Sequence, residues 1–221
     1  MKNMALIVLF LSSGLVAAQE KAVPMDQEPF HKVVLKNDYV EVMHVTIPSG
    51  QKSLLHTHSH NRIAVILSES TLKEEIPGKE LSQAFVTRTG SVSSQAIGKQ
   101  HFTHRIDNIG KTAFEVVDIE LLKRPDGPTA KAFTSPAAED ESFRAYRWAL
   151  APSASTPEHT HSRPYLIIAA TPMQLAMKAP DGSSMEHPVK AGDFHWIDSN
   201  VTHILTNRGK ETGIIIEVEL K

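Results

Sequence analysis

The sequence contains no cysteine, which excludes disulfides, thiolate metal sites, cysteine nucleophiles and iron–sulfur clusters together. Any metal must therefore sit on nitrogen and oxygen ligands. Aromatic residues are scarce at 6%, and neither sign of charge dominates: 23 basic against 25 acidic side chains leave a net charge of −2 with neutral histidines. The basic residues are scattered, so the footprint that grips a phosphate backbone is missing and nucleic acid is not expected as a partner. Long apolar runs are missing beyond the N-terminus, so no membrane association is expected of the mature chain. With 41% hydrophobic residues in 221, there is material for one sizeable core or two small ones, which sets aside a disordered or collagen-like chain.

The first 18 residues carry Lys2, an apolar run from Ala5 to Leu15, and Val16-Ala17-Ala18. This is the pattern of a secretory signal peptide cut after Ala18, with an uncleaved anchor as the other reading. It predicts a periplasmic or secreted protein.

Self-similarity organises the rest. His56-Thr57-His58-Ser59 recurs as His159-Thr160-His161-Ser162, at an offset of 103. Thr103-His104 with Asn108-Ile109-Gly110-Lys111 recurs as Thr202-His203 with Asn207-Arg208-Gly209-Lys210, at an offset of 99. The chain reads as a duplication with halves at 19–125 and 141–221, joined by a linker at 126–140 rich in proline, glycine and alanine. Apolar residues recur every second position, as in Ile214, Ile216, Val218 and Leu220, so the halves are mostly strand, punctuated by turns such as Ala191-Gly192-Asp193. Ser70 to Leu81 is an ambiguous connection. An all-β half of this size must close on itself or pair two sheets, so a small barrel or jelly roll is expected.

On a strand, residues two apart share a face, so His56 with His58 and His159 with His161 each project two imidazoles in one direction. His104 and His203 add a third per half, each four positions before an asparagine. Three converging imidazoles can bind a divalent metal and leave positions open for substrate. Arg62 and Tyr165 share the strand parity of these histidines and point into the same space. His60 is either a fourth nitrogen or a rim residue; Asn108 and Asn207 brace turns; Arg144, Tyr146 and Trp148 share one face and read as ordinary half-exposed packing, with Arg147 opposite. Either His195 or Trp196 faces inward, and His31, His44 and His187 have no argued role.

These motifs resemble those of the two-domain cupins, or bicupins, whose first motif is G-x5-H-x-H-x3,4-E-x6-G and whose second is G-x5-P-x-G-x2-H-x3-N. Gly50 stands six positions before His56, and Gly192, His203 and Asn207 follow the second motif, with Asp198 and Asn200 replacing its proline and glycine. The resemblance implies an all-β protein of two tandem jelly-roll barrels. It implies up to two divalent metals (Fe, Cu, Mn, Ni or Zn) per chain, on His56, His58 and His104 and on His159, His161 and His203. It leaves open a monomer of two packed barrels or a homo-oligomer.

The family's usual glutamate ligand is replaced by Arg62 and Tyr165. A three-histidine centre of higher net charge is then expected, holding metal less tightly but polarising water or substrate more strongly. A guanidinium beside a cation repels it unless an anion lies between them, so Arg62 suggests a substrate carboxylate, while Tyr165 is a donor to substrate, metal or another ligand. The reading is a metal-dependent oxidoreductase, dioxygenase-like, acting on a small organic acid or phenol, with Tyr165 and Arg62 as catalytic candidates. The alternatives are a non-catalytic anion-binding protein and a zinc-dependent lyase, isomerase or hydrolase.

Overall fold

The computed structural model describes residues 20–221; the expected leader lies outside the described residues. Among these there is no α-helix, only strands and one short 3-10 turn at Met25–Gln27. The first half pairs two sheets. One runs His31–Lys36, Val40–Ile47, Phe114–Leu121, Arg62–Ile66 and Val92–Gln95 in spatial order; the other runs Val23–Pro24, His56–His58, Phe102–Asn108, Thr71–Glu75 and Phe85–Val86. The second half repeats the order with Ala138–Glu139, Phe143–Leu150, Gly213–Leu220, Tyr165–Ala169 and Phe194–Ile197 against His159–Thr160, Thr202–Asn207, Met173–Lys178 and Ser184–Val189. Apart from hairpins that stay within one sheet, such as Thr71–Glu75 with Phe85–Val86 and Met173–Lys178 with Ser184–Val189, the chain crosses between the two sheets of a half, as in a jelly roll. The ambiguous stretch 70–81 holds a strand, Thr71–Glu75, because Leu72 fills the barrel interior while its neighbours reach solvent. The end of the stretch 126–140 is also strand, Ala138–Glu139, paired to Phe143–Leu150.

Period-two patterning makes each long strand serve two cores. Val117, Ile119 and Leu121 point outward and pack against Ile216, Val218 and Leu220 of the other half, so the halves join sheet to sheet through a shared apolar layer. The alternate positions face inward: Val116 joins the first interior and Ile215 the second. That alternation forces Asp118, Glu120, Glu217 and Glu219 into the barrels, where they are 1%, 2%, 0% and 0% exposed. Buried carboxylates are stable only when paired and hydrogen-bonded, and their partners define the candidate sites.

The halves also clasp each other through turns. Gly192 has φ of +87°, and a Cβ there would lie 3.1 Å from the His44 ring and 3.2 Å from Leu67 Cδ1. A side chain at this position meets both a left-handed backbone and the opposing half. Gly192→Ala is therefore expected to cost about 1–3 kcal/mol, read as a lower denaturation midpoint; an unchanged midpoint would show that the turn and His44 yield freely.

Candidate metal centres and chamber

In the second half, His159 opens the short strand His159–Thr160 and His161 follows directly after it, His203 comes from the paired neighbour, and Glu217 from the C-terminal strand of the facing sheet. Their ligand atoms all lie within 4.8 Å of one another. The Nε2 atoms of His159, His161 and His203 stand 3.0, 3.3 and 2.8 Å from Glu217 Oε1. Metal–nitrogen bonds of ~2.0–2.1 Å place neighbouring donors roughly 2.9–3.4 Å apart, so these four groups fit a divalent ion. Every outer nitrogen is held: His159 Nδ1 by Pro157 O at 2.8 Å, His161 Nδ1 by Glu219 Oε2 at 3.0 Å and His203 Nδ1 by the Tyr165 hydroxyl at 3.0 Å. Such contacts set the tautomer and aim Nε2 inward.

The expected three-histidine set thus gains a carboxylate from a strand that the first motif does not include. Glu217 restores the negative charge that Tyr165 lacks. Tyr165 is fully buried, and its hydroxyl bonds to His203, so it holds a histidine of the cluster in place. Burial, then the Glu217 and Glu219 charges, push its pKa upward, so the phenol stays protonated.

Arg144 and Tyr146 are buried rather than half-exposed, while Trp148 is half-buried, and all three wall this cluster because inward-facing carboxylates need donors. Trp148 Nε1–H donates to Glu217 Oε2 at 2.6 Å and Arg144 Nη1 to Glu219 Oε1 at 3.3 Å. Tyr146, 2% exposed, packs on His161 with ring centroids 5.8 Å apart. Phe133, from the linker, packs on His159 at 4.7 Å and covers the cluster. Arg147, facing the other way, donates to Gly90 O of the first half.

In the first half, His56, His58 and His104 converge from paired strands, with His58 Nε2 and His104 Nε2 3.1 Å apart. His31, to which sequence reasoning assigned nothing, enters from the edge strand His31–Lys36; it, His56 and His58 offer ligand atoms within 4.8 Å of one another. His60 instead turns outward and bonds Glu120 Oε2 at 2.9 Å, while His58 Nδ1 takes Glu120 Oε1. Burial pushes the Glu120 carboxyl up to about 7. Arg62 is spent on Asp118, with Nη2–Oδ2 2.6 Å and Nε–Oδ1 3.1 Å. The intramolecular carboxylate supplies the counter-charge for which a substrate anion was invoked.

The two interiors differ in size and polarity. His31, His56, His104, Arg62, Asp118 and Glu74 border a cavity of about 490 Å³ that reaches exposed Lys79 and Phe85. The matching space in the second half is about 160 Å³, bordered by Ile167, Leu175, Met177 and Leu205 rather than by its histidine cluster. Register explains the change: Ala64 opposite Ser93 becomes Ile167 opposite His195, and Arg62 opposite Gln95 becomes Tyr165 opposite Ile197. His195 shares the face of Ile167 but lies exposed at the sheet edge, and Trp196 stacks on Tyr39 of the first half. His101 bonds Ser59 at the surface, and His187 meets His195.

Solved structures share this fold. Ylba from E. coli superposes with a TM-score of 0.61 at 11% identity, over 92% of this chain and 87% of its own. A cupin 2 conserved barrel domain protein from Leptotrichia buccalis gives 0.53 at 11% identity, over 94% and 93%. The fold is that of the cupins. No family model matches. A curated relative, the β-alanine degradation protein BauB of Pseudomonas aeruginosa, is 28% identical over 74 residues, 34% of this chain and 77% of its own. Within the cupin fold, buried histidine and glutamate groups here form sets that could bind metal.

Protonation separates the centres. Burial opposes charge on His161, but its hydrogen bonds to the accepting carboxylates of Glu217 and Glu219 outweigh it and hold its pKa above 6.5. That contribution is complete below 6.5 and lost as pH rises through the elevated value. In the first half, burial and then the nearby His104 and His31 charges pull His56 down to about 3. A histidine kept neutral by the fold loses stability as pH falls below 6.5. Metal-free protein should therefore be most stable near pH 6.5, and a bound divalent ion should flatten the alkaline limb by taking the place of the His161 proton beside Glu217. Denaturation at pH 5, 6.5 and 8.5 with and without metal checks this; apo stability rising steadily to pH 8.5 would contradict it.

Proposed function

We propose that this cupin-fold chain is a metal-dependent oxidoreductase whose reaction takes place in the first half, on a small organic acid or phenol. The second centre, in this reading, is structural. The observation carrying the proposal is the 490 Å³ cavity that brings His56, His104 and the Arg62–Asp118 pair to one space, while the His159, His161, His203 and Glu217 cluster is sealed. The 1–18 leader adds the proposal that the protein works in a periplasm or outside the cell.

His56, His58 and His104 would hold the metal. A bound redox-active divalent ion supplies electrons to dioxygen and a Lewis-acid contact to a substrate oxygen. Arg62 has spent two of its five N–H groups on Asp118, and the remaining donors can orient an acceptor on the substrate. Gln95 and Ser93 lie opposite Arg62 and Ala64 and so share their inward face. Glu74 accepts from His104 Nδ1 at 2.7 Å, a bond that holds its pKa below the ordinary value. It also borders the cavity, placing a proton acceptor beside the bound molecule. Phe102, Ile106, Phe114 and Val116 give the chamber an apolar wall that limits water.

Metal-loaded protein assayed by oxygen electrode against carboxylates, phenols, β-diketones and thiols tests this. Uptake is expected with at least one class, abolished by His104→Ala and retained in His161→Ala at temperatures where both variants are folded. No uptake with any class, together with tight binding of one of them, would favour a non-catalytic binding protein, for which the paired Arg62 and polar chamber are equally suited.

A further inference from the structure

We propose that His31 is a fourth ligand of the first-half centre, making it an all-imidazole site chemically distinct from the second; this deepens the reading that the first half holds a metal.

The argument begins with the outer nitrogens. His31 Nδ1 donates to Glu28 Oε2 at 2.6 Å. Glu28 is 1% exposed and is itself fixed by the Phe30 N–H to Oε2 at 2.7 Å and the Leu54 N–H to Oε1 at 3.0 Å. Leu54 then uses its carbonyl to accept His56 Nδ1–H at 2.9 Å, so one residue anchors both rings. His58 Nδ1 is held by Glu120 and His104 Nδ1 by Glu74. All four rings thus commit Nδ1 to an outer acceptor and turn Nε2 inward, the arrangement found where histidine ligates metal; the ligand atoms of His31, His56 and His58 lie within 4.8 Å of one another, and His104 Nε2 adjoins that set through its 3.1 Å contact with His58 Nε2. His56 Nε2 is buried without a hydrogen-bond partner, and its ring is 1% exposed. An orphaned lone pair there costs free energy unless something electrophilic fills the space.

The duplication shows why a fourth nitrogen is wanted. Asp118 stands at the offset of 99 that relates it to Glu217, but it is one methylene shorter and both its oxygens are held by Arg62. The carboxylate that completes the second centre is therefore withheld from the first. His31 takes a place that is empty of ligand in the other half: its ring centroid is 4.6 Å from His56, while Phe133 lies 4.7 Å from the equivalent His159. One centre has a carboxylate and a phenylalanine where the other has a diverted carboxylate and a histidine. Four neutral imidazoles suit copper, nickel or zinc, whereas a carboxylate broadens acceptance toward manganese.

The test uses His161→Ala protein, in which the second centre is disabled, loaded with Zn(II) or Cu(II). Adding His31→Ala, or His31→Phe to reproduce the packing of Phe133, is expected to weaken binding more than the roughly 10–100-fold typical of changing a supporting residue. Glu28→Gln, which keeps all four rings, should weaken it within that range. Pulsed electron paramagnetic resonance of the Cu(II) form should show one fewer coordinated imidazole in both His31 variants. Metal affinity and copper spectra unchanged by either His31 variant would overturn the assignment of His31 alone. No metal uptake by the His161→Ala protein would overturn both that assignment and the enzyme reading of the chamber.

Discussion

Glu217→Gln is expected to remove one metal equivalent from the chain and to cost about 3–5 kcal/mol of stability, the range for breaking a buried ion pair from one side. The substitution keeps the shape of the side chain and removes only its charge. Three imidazoles then surround a neutral amide, and the raised proton affinity of His161 loses one of the two carboxylates that support it. Burial alone would raise the Glu217 pKa, yet the hydrogen bonds from His159, His161 and His203 hold it well below 4.5, so the carboxylate is ionised throughout the working range. In wild-type protein a metal present at about 1,000 times its dissociation constant should add about 4 kcal/mol, and that increment should shrink in the variant. Elemental analysis and denaturation with and without zinc read both effects. Unchanged metal content would mean that Glu217 only buttresses the histidines.

The second large effect belongs to Arg62→Ala. Asp118 has a side chain 2% exposed and Arg62 one 15% exposed, so removing the guanidinium strands a buried carboxylate at an expected cost of about 3–5 kcal/mol. The double variant Arg62→Leu with Asp118→Leu should recover most of it, because neither charge is then left alone. A different result would change the reading of the chamber: full stability in Arg62→Ala combined with loss of carboxylate binding would make Arg62 an anion receptor, with Asp118 a secondary partner. A double-mutant cycle separates the cases.

The fold was legible because the signals for it are local. Period-two alternation in 214–220 directs side chains to two faces whatever surrounds them, and His-x-His on a strand gives two imidazoles one direction. Asn108 illustrates the same legibility at a turn: its amide donates to Ile47 O and Thr112 O, both at 2.9 Å, and Asn207 does likewise with Leu150 O and Glu211 O. Trp148 and Arg144 were misread because alternation tells that a face is shared without telling what lies across from it. Their function as donors depends on carboxylates more than sixty positions away.

The sequence by itself determined the duplicated β architecture and the six repeated histidines, since repetition and strand parity are properties of the chain that need no partner. Only the tertiary structure decided which groups gather beside the histidines and which half holds the larger cavity. Glu217, His31 and Phe133 reach the histidines across facing sheets or from a linker, with no spacing that marks them. The diversion of Asp118 to Arg62 and the replacement of Ala64 by Ile167 acquire meaning only once both barrels are closed. Packing, rather than motif, separates a sealed cluster from a chamber because donor competition and free volume are set by neighbours in space.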